Sequence, residues 1–112
     1  MTPEKKVKNE VVKILKSMGV YYFYPVTSGY GASGVPDIVA CINGRLVGIE
    51  CKAGKGTPTT LQEKNLMQIM DNGGVAVLVN ENGIKELELL LWGVSKQAKT
   101  TGMFADLLKE KV

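Results

Sequence analysis

The sequence predicts an α/β fold, a small mixed β-sheet flanked by helices. Two observations carry this expectation. Apolar residues recur at helical spacing in Val7, Val11, Ile14, Leu15 and Met18, whereas Val35 to Lys52 and Val75 to Val79 are Val- and Ile-rich runs bounded by turn residues. The order helix, strands, helix, strand, helix is satisfied by helices packed on a sheet. At 112 residues, the chain is expected to form one domain, residues 1–112, with one modest core.

Each element has its own local cause. Thr2-Pro3-Glu4 opens the first helix with an N-cap residue, a proline at the first helical position and an early acid, and Gly19 closes it. Glu10 sits at the edge of the apolar stripe, and Lys5, Lys6, Lys13 and Lys16 form the solvated face. Val20 to Val26 has strand composition, with Pro25 marking an edge or an ending. Thr27 to Gly34 is a glycine-rich loop. Thr59 to Glu63 starts a second helix, with Thr60 and Glu63 expected as its capping box. That helix stops at Asp71-Asn72-Gly73-Gly74, and Val75 to Val79 reads as a buried strand. A third helix is expected from Ile84 to Trp92, and a last short one from near Thr101, carrying Phe104, Leu107 and Leu108 inward.

Composition excludes several chemistries. The chain has no histidine, so His nucleophile activation, His general bases and His metal ligands are all removed. Catalysis then falls to carboxylates, lysine or a metal. Hydrophobic content of 45% and charged content of 22% are those of a folded soluble protein. No apolar run reaches a membrane-spanning length, and the N-terminus lacks the apolar segment of a signal peptide. With two cysteines and no disulfide framework, a cytoplasmic location is expected. The net charge of +3, carried by lysines and the single Arg45, permits a polyanionic partner.

The informative stretch is Gly34 to Lys52. Asn43-Gly44 between two β-rich runs is a strong hairpin signal, because both central positions of a type I′ turn need positive φ. A two-residue loop sets the register: Ile42 faces Arg45, Ala40 faces Val47, Ile38 faces Ile49, and Asp37 faces Glu50. Lys52 shares the Glu50 face, two positions on. Ile38, Ala40, Ile42, Val47 and Ile49 line the other face as core. Cys41 and Cys51 fall on opposite faces, which argues against a disulfide between them.

Opposed strand residues have Cβ atoms about 5 Å apart, and like charges placed there repel. A divalent cation relieves that repulsion. Mg²⁺ is commonly held by one or two carboxylates completed by substrate oxygens and water, and an adjacent ammonium can position or deprotonate a water. The bland alternative is an exposed charge pair on a strand with Asp37 capping the loop after Pro36. The combination of Pro-Asp, the hairpin and Glu-x-Lys favours metal-assisted hydrolysis.

Pro36-Asp37 followed by Glu50-Cys51-Lys52 resembles the signature of the PD-(D/E)XK nuclease superfamily, whose core is restriction-endonuclease-like. The approach Gly31-Ala32-Ser33-Gly34-Val35-Pro36-Asp37, the segment Lys55-Gly56-Thr57-Pro58 and Gln62 make it similar to the VRR-NUC branch in its stand-alone, phage-type form. The likeness runs from Glu10 to Gln62. It implies an endonuclease that hydrolyses phosphodiester bonds in DNA with Mg²⁺, Mn²⁺ being able to substitute. By that resemblance Asp37 and Glu50 are metal ligands aided by the Cys51 backbone carbonyl. Lys52 activates water or stabilises charge on the phosphate, Glu10 approaches the metal from the first helix, and Gln62 steadies Lys52 or a water. Lys55, Ser33 and Tyr30 are its candidate DNA contacts.

The same resemblance implies branched DNA as substrate, four-way (Holliday) junctions above all, and a homodimer in a bacterial or phage-infected host cytoplasm. A single domain has one site, and symmetric cutting of a junction needs two, which a two-fold pair supplies. No recognition helix-turn-helix or zinc finger is present to read base sequence, so lysine contacts to phosphates and DNA shape are expected to suffice. No membrane and no protein partner other than a second copy is expected. Two alternatives share the same residues: a nuclease of this fold acting on flaps, ends or foreign duplex, and a non-catalytic DNA-binding domain.

Overall fold

The computed structural model describes residues 1–26 and 34–97. Tyr30, Ser33 and the helix expected near Thr101 lie outside the described residues. The first helix, α1 (Pro3–Met18), begins where the Thr2 side chain accepts the Lys5 N–H at 3.2 Å, and it ends at Gly19 in the left-handed region. It buries Val7, Val11, Ile14 and Leu15 of the stripe that its spacing predicts, adds Val12, and leaves Met18 only half-buried against the core.

The strands β1 (Tyr21–Phe23), β2 (Ile38–Ile42), β3 (Arg45–Cys51) and β4 (Val75–Val79) form one sheet in that order. The first three are antiparallel, and β4 joins β3 in parallel after a crossover through helix α2 (Thr60–Asp71). Helix α3 (Ile84–Ser95) follows β4. The fold is therefore the expected α/β arrangement with a mixed sheet. Among the described residues no helix is long and apolar enough to cross a membrane.

The hairpin turn takes the backbone that Asn-Gly favours, with φ of 54° at Asn43 and 80° at Gly44. Pairing from Ile42↔Arg45 to Ile38↔Ile49 follows the expected register. Ile38, Ala40, Ile42, Val47 and Ile49 are each at most 1% exposed and pack with α1 and with Leu87, Leu91 and Val94 of α3. Burying each of the large members stabilises the fold by roughly 1.5–3 kcal/mol. The α2 layer lies on the opposite face, against Gly48, where any added Cβ would stand 2.6 Å from Ile69 Cδ1.

Three local expectations change. The capping box of α2 is Thr59 with Gln62, one residue earlier than Thr60 with Glu63, because Thr59 keeps extended backbone while Thr60 already turns helically. The strand β4 is half-buried: it is the sheet edge, only Val79 is fully buried, and Leu78 is 48% exposed. The β2–β3 ladder ends at Ile38↔Ile49, so Asp37 lies one residue outside the strand.

Candidate active site

The cluster forms where β3 ends. Asp37 does not meet Glu50 as a ladder partner; its Oδ2 instead accepts the Cys51 N–H at 2.8 Å. A side chain thus replaces the next ladder bond and holds the carboxylate at the end of β3. The backbone leading to it is constrained by Gly34, whose φ is 80° and whose absent Cβ would fall 2.6 Å from the Leu61 carbonyl carbon in the first turn of α2. Only glycine accepts both conditions. On the other side, the Lys52 N–H donates to the Val79 carbonyl at 2.9 Å, continuing the parallel pairing with β4.

Glu50 is 2% exposed, the one buried charged residue among those described. Its Oε2 accepts from Gln62 Nε2 at 3.0 Å and lies 3.5 Å from Lys52 Nζ. Its Oε1 is buried with no hydrogen-bond partner among the described residues. Burial first, and then the nearby Asp37 charge, raise the Glu50 carboxyl from 4.5 to about 7, against the opposing pull of Lys52. A buried carboxylate with a bare oxygen beside a second acid is costly in the absence of a compensating cation.

Gln62 ties this carboxylate to α2. Its Oε1 accepts the Thr59 N–H at 2.9 Å while its Nε2 reaches Glu50. A glutamate at this position would complete the cap but would face Glu50 with a like charge. Gln62 therefore steadies Glu50 directly, and it meets Lys52 through their shared partner oxygen.

The acid that α1 brings to the cluster is Glu4. Its Oε1 is 4.0 Å from Lys52 Nζ, and Lys52, with its side chain 16% exposed, lies between Glu4 and Glu50. Glu10 is placed elsewhere: it is ion-paired with Lys13 at 3.0 Å and lines a different groove, with Pro3, Lys6, Glu81 and Ile84. The two acids are six residues apart, and a helix turns 3.6 residues per revolution, so they cannot share a face. Proximity of Glu4 to Lys52 had no signal in the sequence, because it depends on how α1 is docked over β3.

Lys55 is exposed in the turn after β3, where Gly54 N–H donates to the Glu81 carboxylate at 3.0 Å. The cluster opens into two grooves. One, of about 350 Å³, is lined by Asp37, Cys51, Glu4, Lys8, Asn9 and Tyr24 among others. The second begins at Lys52 and Gly56 and runs along β4 to the start of α3.

The donor set fits a hard divalent cation. Among the described residues no three His, Cys, Asp or Glu side chains converge to hold a metal unaided. Asp37, Glu50 with its bare Oε1 and the Cys51 carbonyl are the oxygen donors that would hold such an ion, a partial set of the kind that water and substrate oxygens complete for Mg²⁺.

Comparison with known proteins gives one result that bears on this site. The family model for the archaeal Holliday junction resolvase (Hjc) matches residues 4–79, from Glu4 in α1 to the end of β4, and so includes every member of the cluster. No curated protein and no solved structure matches the chain significantly. With the match covering about two thirds of its length, the chain belongs to the archaeal Holliday junction resolvase (Hjc) family, a nuclease family of the PD-(D/E)XK type.

Proposed function

We propose that the protein is a divalent-metal-dependent endonuclease that hydrolyses phosphodiester bonds in four-way DNA junctions, acting at the Asp37–Glu50–Lys52 cluster. The observation that carries this reading is Glu50: a 2% exposed carboxylate with one bare oxygen, gripped on the other by Gln62 and Lys52, within the span matched by a resolvase family.

Asp37, Glu50 and the Cys51 carbonyl would hold Mg²⁺ or Mn²⁺. A cation bound there supplies Lewis-acid charge at the scissile phosphate and acidifies water. The remaining work belongs to the chain. Lys52 presents its ammonium to the phosphate and stabilises the negative charge that grows as water adds to phosphorus and the P–O bond to the leaving oxygen breaks. Glu4 and Glu50 hold that ammonium from two sides. Gln62 keeps Glu50 Oε2 occupied and so leaves Oε1 as the oxygen available for a cation.

We further propose a homodimer, because one site per chain has to be doubled to cut a junction symmetrically. Exposed Leu89, Leu90 and Trp92 on α3 provide apolar surface suited to pairing. Within the superfamily, the glycine-rich approach to Asp37, Lys55-Gly56-Thr57-Pro58 and Gln62 support a relation to the stand-alone VRR-NUC type. We place the protein in the cytoplasm, on the strength of its two free cysteines.

The test is cleavage of a labelled four-way junction beside linear duplex and flap DNA, with Mg²⁺ or with EDTA. The expected result is junction cleavage that requires the metal. Cleavage in EDTA would overturn the metal requirement, and equal cutting of linear duplex would overturn junction selectivity.

A further inference from the structure

Lys8 is the most unusual lysine of α1. It is half-buried, whereas Lys5, Lys6, Lys13 and Lys16 are exposed. Lys13 is paired with Glu10 and Lys52 with two acids, but Lys8 forms no ion pair with any described residue. Its ammonium stands 4.5 Å from the centroid of the Tyr24 ring. That ring, 45% exposed, makes an edge contact with Tyr22 at a centroid distance of 6.0 Å.

A cation over an aromatic face gains electrostatic attraction without losing its net charge. The ring side of the ammonium is occupied, while its N–H donors directed away from the ring remain available to an anion. Lys8 and Tyr24 line the same groove as Asp37 and Cys51.

We propose that Lys8, held in place by Tyr24, contacts a backbone phosphate of the DNA strand where that strand runs through the groove on the Asp37 side of the cleavage site. Lys8 is a binding residue and Tyr24 a positioning residue that acts through it. The proposal rests on the nuclease reading above and adds the path of the strand on one side of the cut.

The test measures binding of a four-way junction in EDTA over a range of salt, and single-turnover cleavage in Mg²⁺ at saturating protein. Lys8→Ala is expected to weaken binding by about 5- to 10-fold at low salt and to lower the slope of log K against log[salt] by about 1. Lys8→Arg, which keeps the charge, is expected to bind within about 2-fold of wild type. Tyr24→Phe keeps the ring and should bind like wild type, whereas Tyr24→Leu should lose about 2- to 5-fold. Lys13→Ala, which removes a lysine already paired with Glu10, should change binding by less than 2-fold.

Wild type that cuts junctions while Lys8→Ala matches Lys13→Ala in affinity and salt slope would overturn the phosphate contact alone. Equal loss in Tyr24→Phe and Tyr24→Leu would overturn the role of the ring. Wild type that neither binds nor cuts DNA would overturn the nuclease reading and this contact with it.

Discussion

The Gln62 side chain spans two structures at once: its Nε2 donates to Glu50 Oε2 at 3.0 Å while its Oε1 accepts the Thr59 N–H at 2.9 Å. The first turn of α2 and the buried carboxylate of β3 are thereby joined through one amide. Gln62→Ala removes both bonds and leaves a buried carboxylate short of a donor, so it should destabilise the protein by about 2–3 kcal/mol in urea unfolding. Thr59→Ala removes only the bond from the Gln62 N–H to the cap and should cost about 1 kcal/mol.

The second prediction concerns pH. With the Glu50 carboxyl raised from 4.5 to about 7, the native state holds this proton more tightly than the unfolded state does. The resulting stability is full below pH 4.5, is lost as pH rises through 7, and levels off above. The shift corresponds to a loss on the order of 3 kcal/mol. Unfolding of wild type and Glu50→Gln across this range isolates the effect: the variant's advantage should grow with pH between 4.5 and 7. Mg²⁺ added at pH 7.5 should stabilise wild type and leave Glu50→Gln nearly unchanged.

The two thiols should react at very different rates. Cys41 is exposed, whereas Cys51 is buried with its thiol raised to about 12, burial being the largest cause. A thiolate is the reacting species. A chromogenic disulfide reagent at pH 8 should therefore titrate one thiol promptly in the native protein and the second only on unfolding. Prompt reaction of both would contradict the packing of β3 against α1.

The hairpin turn carries a prediction of its own. Gly44 at φ 80° accepts a side chain poorly, and Gly44→Ala should cost about 1–2 kcal/mol. Asn43 adds side-chain bonds from its Nδ2 to the Val94 carbonyl, at 3.1 Å, and to the Gln97 carbonyl, tying the turn to the end of α3. Asn43→Gly keeps the turn and removes those bonds, so its cost, read by urea unfolding, should be near 1 kcal/mol.

Asn43-Gly44 also shows why so much of the site was legible in the sequence. A two-residue turn and strict alternation determine which side chains face the core, and five of them do so as expected. The same reasoning overextends by one residue at Asp37, because a ladder can end and hand its next bond to a side chain. It also misses Glu4, since periodicity places a residue on a helix face but not that face over a particular strand. The Thr59–Gln62 cap differs from Thr60–Glu63 by a single step of register, and only the backbone angle at Thr59 distinguishes them. Half-burial of β4 follows from its being the sheet edge, a property of topology that an apolar run does not encode.

The central claim is that Lys52, held by Glu50 and Glu4, does chemistry on a phosphate at this cluster. Its most direct test is the single-turnover cleavage rate of a four-way junction by Lys52→Ala in Mg²⁺, with junction binding measured in parallel. A rate lowered by about 10²- to 10³-fold with binding largely retained is the predicted result. A rate within about 3-fold of wild type would contradict it.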